Sequence, residues 1–131
     1  MIKLCKQIDN ARASHGAWKA RLAYAIKSGV SEFTPELAGA DDCCDFGRWL
    51  SVLPQETQGT EYFETVRTLH AQFHKQASVV LGLALTGHRQ LAERAMAPGS
   101  GFDMLSADLG AALNRWKRQL AVAAPSIRHT R

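Results

Sequence analysis

At 131 residues, 46% of them hydrophobic and 21% charged, the chain is long enough to bury a core unaided and too apolar to stay disordered. The net charge of +4 comes from nine Lys/Arg against nine Asp/Glu in residues 1–86 and seven against three in residues 87–131. With no helix-turn-helix pattern, aromatic stacking platform or dense basic stripe, that excess argues for a solvated basic face and against a nucleic-acid binder. The longest apolar run, Val79 to Leu85, falls far short of the about 20 residues a membrane span needs, and the opening MIKLCKQIDNAR has no apolar stretch behind its lysines to make a signal peptide. Three cysteines, Cys5, Cys43 and Cys44, form an odd set without framework spacing, which suits a reducing cytoplasm rather than a disulfide scaffold. The expectation is one cytoplasmic domain over residues 1–131, with 1–4 and 125–131 as tails.

In chain order, Leu4, Ile8, Ala11, His15, Trp18, Leu22 and Ala25 recur at spacings of four and three. They predict a helix from about Lys3 to Lys27, stopped at Ser28-Gly29. Residues 30–41, VSEFTPELAGAD, read as a loop. Asp41 or Asp42 can cap a short helix through Phe46, Trp49, Leu50 and Leu53, ended by Pro54. A second long seam, Phe63, Val66, His70, Phe73, Ala77, Val80 and Ala84, starts near Thr60 and stops at Thr86-Gly87. His88 to Ala97 reads as a short helix closed by Pro98-Gly99. The last seam, Phe102, Leu105, Leu109, Leu113, Trp116, Leu120 and Ala123, is stopped by Pro125. No stretch alternates as a strand does, so the fold class is an all-α bundle.

The chemistry lies in where the histidines fall. His15 holds a core position of the first seam, His70 one of the second, and His74 follows one turn later on the same face. A stripe of Leu, Val, Phe and Ala gains nothing by burying imidazoles unless each ring nitrogen finds a partner. Residues at i and i+4 are neighbours on a helix, so His70 and His74 can share one ion. A single in-seam histidine is ordinarily a hydrogen-bonded core residue, but three on facing seams with a cysteine nearby form a zinc set. His88, after a helix stop, and His129, in the basic tail, read as surface residues.

Three segments resemble the chemoreceptor zinc-binding domain family: His15-Gly16-Ala17-Trp18, then Cys44-Asp45-Phe46-Gly47-Arg48-Trp49, then His70-Ala71-Gln72-Phe73-His74. They match its His-x-x-aromatic, C-x-[L/F/Y]-G-x-W and H-x-x-x-H pieces in order, over about residues 5 to 124. The resemblance implies a four-helix bundle with an additional short helix carrying the cysteine. It implies one Zn2+ held by His15, Cys44, His70 and His74, and frequent homodimers. It also implies signalling that responds to zinc or to oxidants such as hypochlorous acid, through a chemoreceptor or diguanylate cyclase partner. The chain departs from the usual pattern in carrying no GG(D/E)EF signature and no long receptor coiled coil, so it reads as a stand-alone member or a domain cut from something longer. In this register Cys43 falls beside the ligand as a small semi-buried thiol, Cys5 has no role, Gly47 lets the short helix approach a long one, and Phe46, Trp49 and Trp18 are core.

Four protein ligands leave zinc no open position, and no Ser-His-Asp or Cys-His nucleophile pattern or phosphate loop stands out, so an enzyme is not expected. The competing readings are a purely structural zinc in a dimerisation module, a hemerythrin-type di-iron carrier for which core carboxylates are lacking, and a nucleic-acid adaptor using the basic C-terminal segment. Val79, Leu83 and Leu85, flanking the second seam, supply apolar surface for dimerisation.

Overall fold

The computed structural model describes residues 2–41 and 44–128, with side chains from 6 to 41 and from 44 to 122. Seven helices run in the order α1 (Ile2–Ser28), α2 (Pro35–Gly39), α3 (Asp45–Ser51), α4 (Gln55–Gln58), α5 (Glu61–Leu85), α6 (Arg89–Ala95) and α7 (Gly101–Arg128), and there is no strand among the described residues. The all-α bundle expected from the seams therefore forms. Its long members are α1, α5 and α7, mutually in contact, and α6 is a short fourth member against α1 and α5.

Local chemistry sets these boundaries. Gly29 and Gly87 adopt φ of 78° and 84° just past the ends of α1 and α5, the left-handed conformation that glycine reaches without a Cβ penalty. Thr60 caps α5 by accepting from the Phe63 amide. The predicted loop 30–41 contains a helix instead. Thr34 caps α2 by accepting from the Leu37 amide, and Pro35 supplies a fixed φ at its first position. Five residues are too few to show a period, which is why the seam reading passes over them. The helix after it is capped by Cys44, whose Sγ accepts from the Gly47 amide at 3.3 Å, and not by Asp41. At the other end α7 continues past Pro125 to Arg128. A proline removes one ladder hydrogen bond without forbidding the residues after it from staying helical.

The seam residues make the core: Ile8, Leu22, Val66, Phe73, Val80, Leu109, Leu113 and Trp116 are all buried. Leu83 and Leu85 pack against this core, whereas Val79 is 49% exposed. Packing is close between α2 and α5. A Cβ built on Gly39 would sit 3.0 Å from Ser78 Cβ and 3.8 Å from the carbonyl of His74, so glycine permits the approach. Gly39→Ala should overpack this contact. Helix propensity returns at most about 1 kcal/mol and strain takes about 1–3 kcal/mol, so thermal denaturation should show a net loss.

Candidate metal centre

Four elements converge where the histidine-bearing faces of α1 and α5 meet. His15 projects from the middle of α1, and His70 and His74 from one face of α5, with residual exposures of 6%, 1% and 1%. One ring nitrogen from each of the three can be chosen so that all lie within 4.8 Å of one another. Zinc–nitrogen bonds of about 2.0–2.1 Å in a tetrahedron set ligand nitrogens about 3.3–3.4 Å apart, so the three rings must close in by up to about 1.5 Å to share one ion. Cys44, at the N-cap of α3, is half-buried, and its Sγ lies 3.3 Å from His70 Nε2. The thiol thus borders the imidazole triad from its His70 side.

The rings are oriented for metal by the backbone. His15 Nδ1 lies 2.7 Å from the carbonyl of Ala11 and His74 Nδ1 lies 2.9 Å from the carbonyl of Ala38. A carbonyl oxygen only accepts, so both Nδ1 atoms carry the proton and, in a neutral ring, Nε2 bears the lone pair. Those two Nε2 atoms are buried without a hydrogen-bond partner among the described residues. Buried polar atoms are nearly always satisfied, and a lone pair aimed into a protein interior with nothing to accept is the arrangement a cation completes. The residues present therefore fit a metal ion.

Electrostatics agree. Burial is the main cause that lowers His15 from 6.5 to about 4, with the Ala11 hydrogen bond opposing it and His74 adding to it. His70 falls to about 3, again chiefly by burial, with His15 and His74 adding repulsion. His74 is lowered by burial, against the Ala38 hydrogen bond and the nearby Asp41 charge. All three rings are neutral at pH 7, the ligand form. Burial raises Cys44 above 9.0, opposed by the amides of Gly47 and Phe46. Without metal it is a neutral thiol that shares one proton with His70 along their contact.

Aromatic rings pack around the centre. Phe73 and Phe46 lie edge-on to His15 at centroid distances of 4.9 and 6.1 Å, and Trp18 lies 5.8 Å from His74. Phe46 and Trp18 are buried and Trp49 packs against the core, as the sequence reading has them. His88 is exposed, with Nδ1 2.9 Å from the Thr86 hydroxyl. Cys43 and His129 lie outside the described residues, as does the side chain of Cys5. The sequence reading missed the Ala38 carbonyl, which as a backbone atom leaves no mark in composition, and Asp41, which it assigned to capping.

No curated protein matches the chain, and neither does any solved structure. A family profile does: that of the chemoreceptor zinc-binding domain, over residues 15–81. The match covers just over half of the chain and starts at His15, and it contains Cys44, His70 and His74. The protein is a member of the chemoreceptor zinc-binding domain family.

Proposed function

We propose that the chain is a sensory module in which His15, Cys44, His70 and His74 hold one zinc ion and Cys44 is the group an oxidant reaches. The supporting observation is the pair of buried, partnerless Nε2 atoms on His15 and His74. When bound, zinc keeps the Cys44 sulfur deprotonated and so preserves a nucleophile that burial alone would quench. The other ligands are buried, and Cys44 is the half-exposed one. The thiolate takes chlorine from hypochlorous acid, releasing hydroxide and leaving a sulfenyl chloride. Water then displaces chloride, with loss of a proton, to give the sulfenic acid. A sulfenic acid is a poorer ligand than a thiolate, so α3 loses its tie to α5.

Such a change supplies two folded states differing at one corner of the bundle. A signalling protein, of chemoreceptor or diguanylate cyclase type, would read the difference in a homodimeric, cytoplasmic setting. The dimer is supported by the exposed Val79 on α5.

Elemental mass spectrometry of protein purified without a His tag should find one zinc per chain, lost in Cys44→Ala. Limiting hypochlorite should modify Cys44 before Cys5, as peptide mass spectrometry would show. No binding on adding zinc back would end the ligand assignment. Hydrogen exchange that rises throughout the protein on metal removal, and not chiefly in α2 and α3, would make the zinc purely structural.

A further inference from the structure

Ligands this buried need a way in for their ion, and two cavities touch them. One of about 390 Å3 has His70 in its wall together with Asp41, Gly47, Ser51, Gln58, Glu64 and Arg67. The other, about 170 Å3, has His15 in its wall, between α1 and α7, with Arg12 and Lys19.

Charge distinguishes them. The His15 cavity offers two cations and no carboxylate among its lining residues. The His70 cavity offers two carboxylates and one guanidinium. Glu64 is held by Arg67 at 2.7 Å, so that pair is nearly neutral and, among the described lining residues, Asp41 sets the sign. Asp41 is half-buried, and its charge is felt at His74, where it opposes the lowering of the ring's pKa. The same cavity leads to sulfur. Gly47 lines it, and the Gly47 amide donates to Cys44 Sγ at 3.3 Å. His70 stands in the wall of this cavity and Cys44 Sγ lies 3.3 Å from its Nε2, whereas His15 opens on the other cavity.

Resting on the ligand assignment above, we propose that zinc enters and leaves through the His70 cavity between α3 and α5, and that the Asp41 carboxylate draws the cation into it. Asp41 is then a positioning residue, acting on the rate of capture and not as a ligand. Exposed charges act over about 10 Å at 0.1 M salt, so the influence is local to this mouth.

The test is stopped-flow mixing of the metal-free full-length chain with zinc alone, followed by displacement into excess chelator. At 0.1 M salt, Asp41→Asn should associate about 2–5-fold more slowly than wild type, a difference that shrinks at 1 M as steering is screened. Its dissociation rate should stay unchanged. Ser51 is exposed, so Ser51→Trp can obstruct the mouth without entering the core. It should slow association and dissociation by the same factor and leave Kd unaltered, the signature of a shared path. Lys19→Glu, at the other cavity, should change neither rate.

Faster dissociation of Asp41→Asn with unaltered association would make Asp41 an affinity determinant and overturn the proposal. So would an acceleration in Lys19→Glu, or a Ser51→Trp variant with wild-type rates. A wild-type chain that binds no zinc would instead overturn the ligand assignment, and this route with it.

Discussion

Metal-free protein carrying His15→Leu should melt at a higher temperature than metal-free wild type, although the substitution removes a proposed zinc ligand. His15 Nε2 is buried with no partner, and an unsatisfied buried polar group costs about 1–3 kcal/mol. Leucine has similar bulk, favours helices, and meets Phe73 and Phe46 around the ring it replaces. The lost Nδ1 bond matters little, because Ala11 lies within α1, where its carbonyl accepts from the backbone amide four residues on.

Zinc should reverse the order. A ligand that binds only the folded state adds about 4.1 kcal/mol at a thousand times its Kd. Altering even a supporting outer-shell group weakens a metal site about 10–100-fold, so losing a ligand should exceed that. Wild type with saturating zinc should then be the most stable of the four states. Calorimetry of both proteins, with and without metal, reads the crossing. A metal-free His15→Leu that melts lower than metal-free wild type would mean that the centre satisfies its own nitrogens, and the case for a resident cation would fall.

Such a centre is legible in sequence because it violates a pattern. His15, His70 and His74 stand at positions where the period of three and four demands apolar residues, so their cost shows in the order of the residues alone. The long helices are legible for the same reason, since α1, α5 and α7 each repeat the period over many turns, and α1 and α5 end just before a glycine. What escapes is short or made of backbone. Helix α2 has five residues, less than two turns, and its contribution to the centre is the Ala38 carbonyl that fixes the His74 tautomer. The tight α2–α5 contact at Gly39 is invisible without knowing which residue faces it. The cap of α3 is open to misreading because Asp41 and Asp42 are the stronger capping residue types. The spacing Cys44-x-x-Gly47, a side-chain acceptor three residues before a buried amide, is the signal that points to it. Asp41 is legible only once the cavity it lines is known.

Acid should separate the metal-free and zinc-bound forms in a predictable way. In the folded metal-free protein His15 and His70 hold pKa values of about 4 and about 3 against an ordinary 6.5. Between those limits the unfolded chain binds more protons than the folded one, so stability is full above pH 6.5 and falls as the pH drops. At pH 5 each ring should cost about 2 kcal/mol, about 4 kcal/mol together. That is a large share of the about 5–15 kcal/mol typical of a domain. On the alkaline side Cys44 has the opposite sign. Its folded thiol stays protonated while the unfolded one ionises, so metal-free stability should decline above about pH 9.

These directions also fix where the proton goes when zinc binds. Near pH 7.5 the three imidazoles are already neutral and release nothing, so the proton leaves Cys44. Titration calorimetry in buffers of different ionisation enthalpy should therefore report about one proton released per zinc, and none in Cys44→Ala at zinc concentrations high enough to load that weakened site. At pH 5 the wild-type count should not exceed about two, because His15 and His70 remain neutral in the folded chain and His74 alone is left to add a proton. A count rising to three or more at pH 5 would mean that the rings are accessible and protonated before the metal arrives, and the buried, pre-oriented centre would not survive that result.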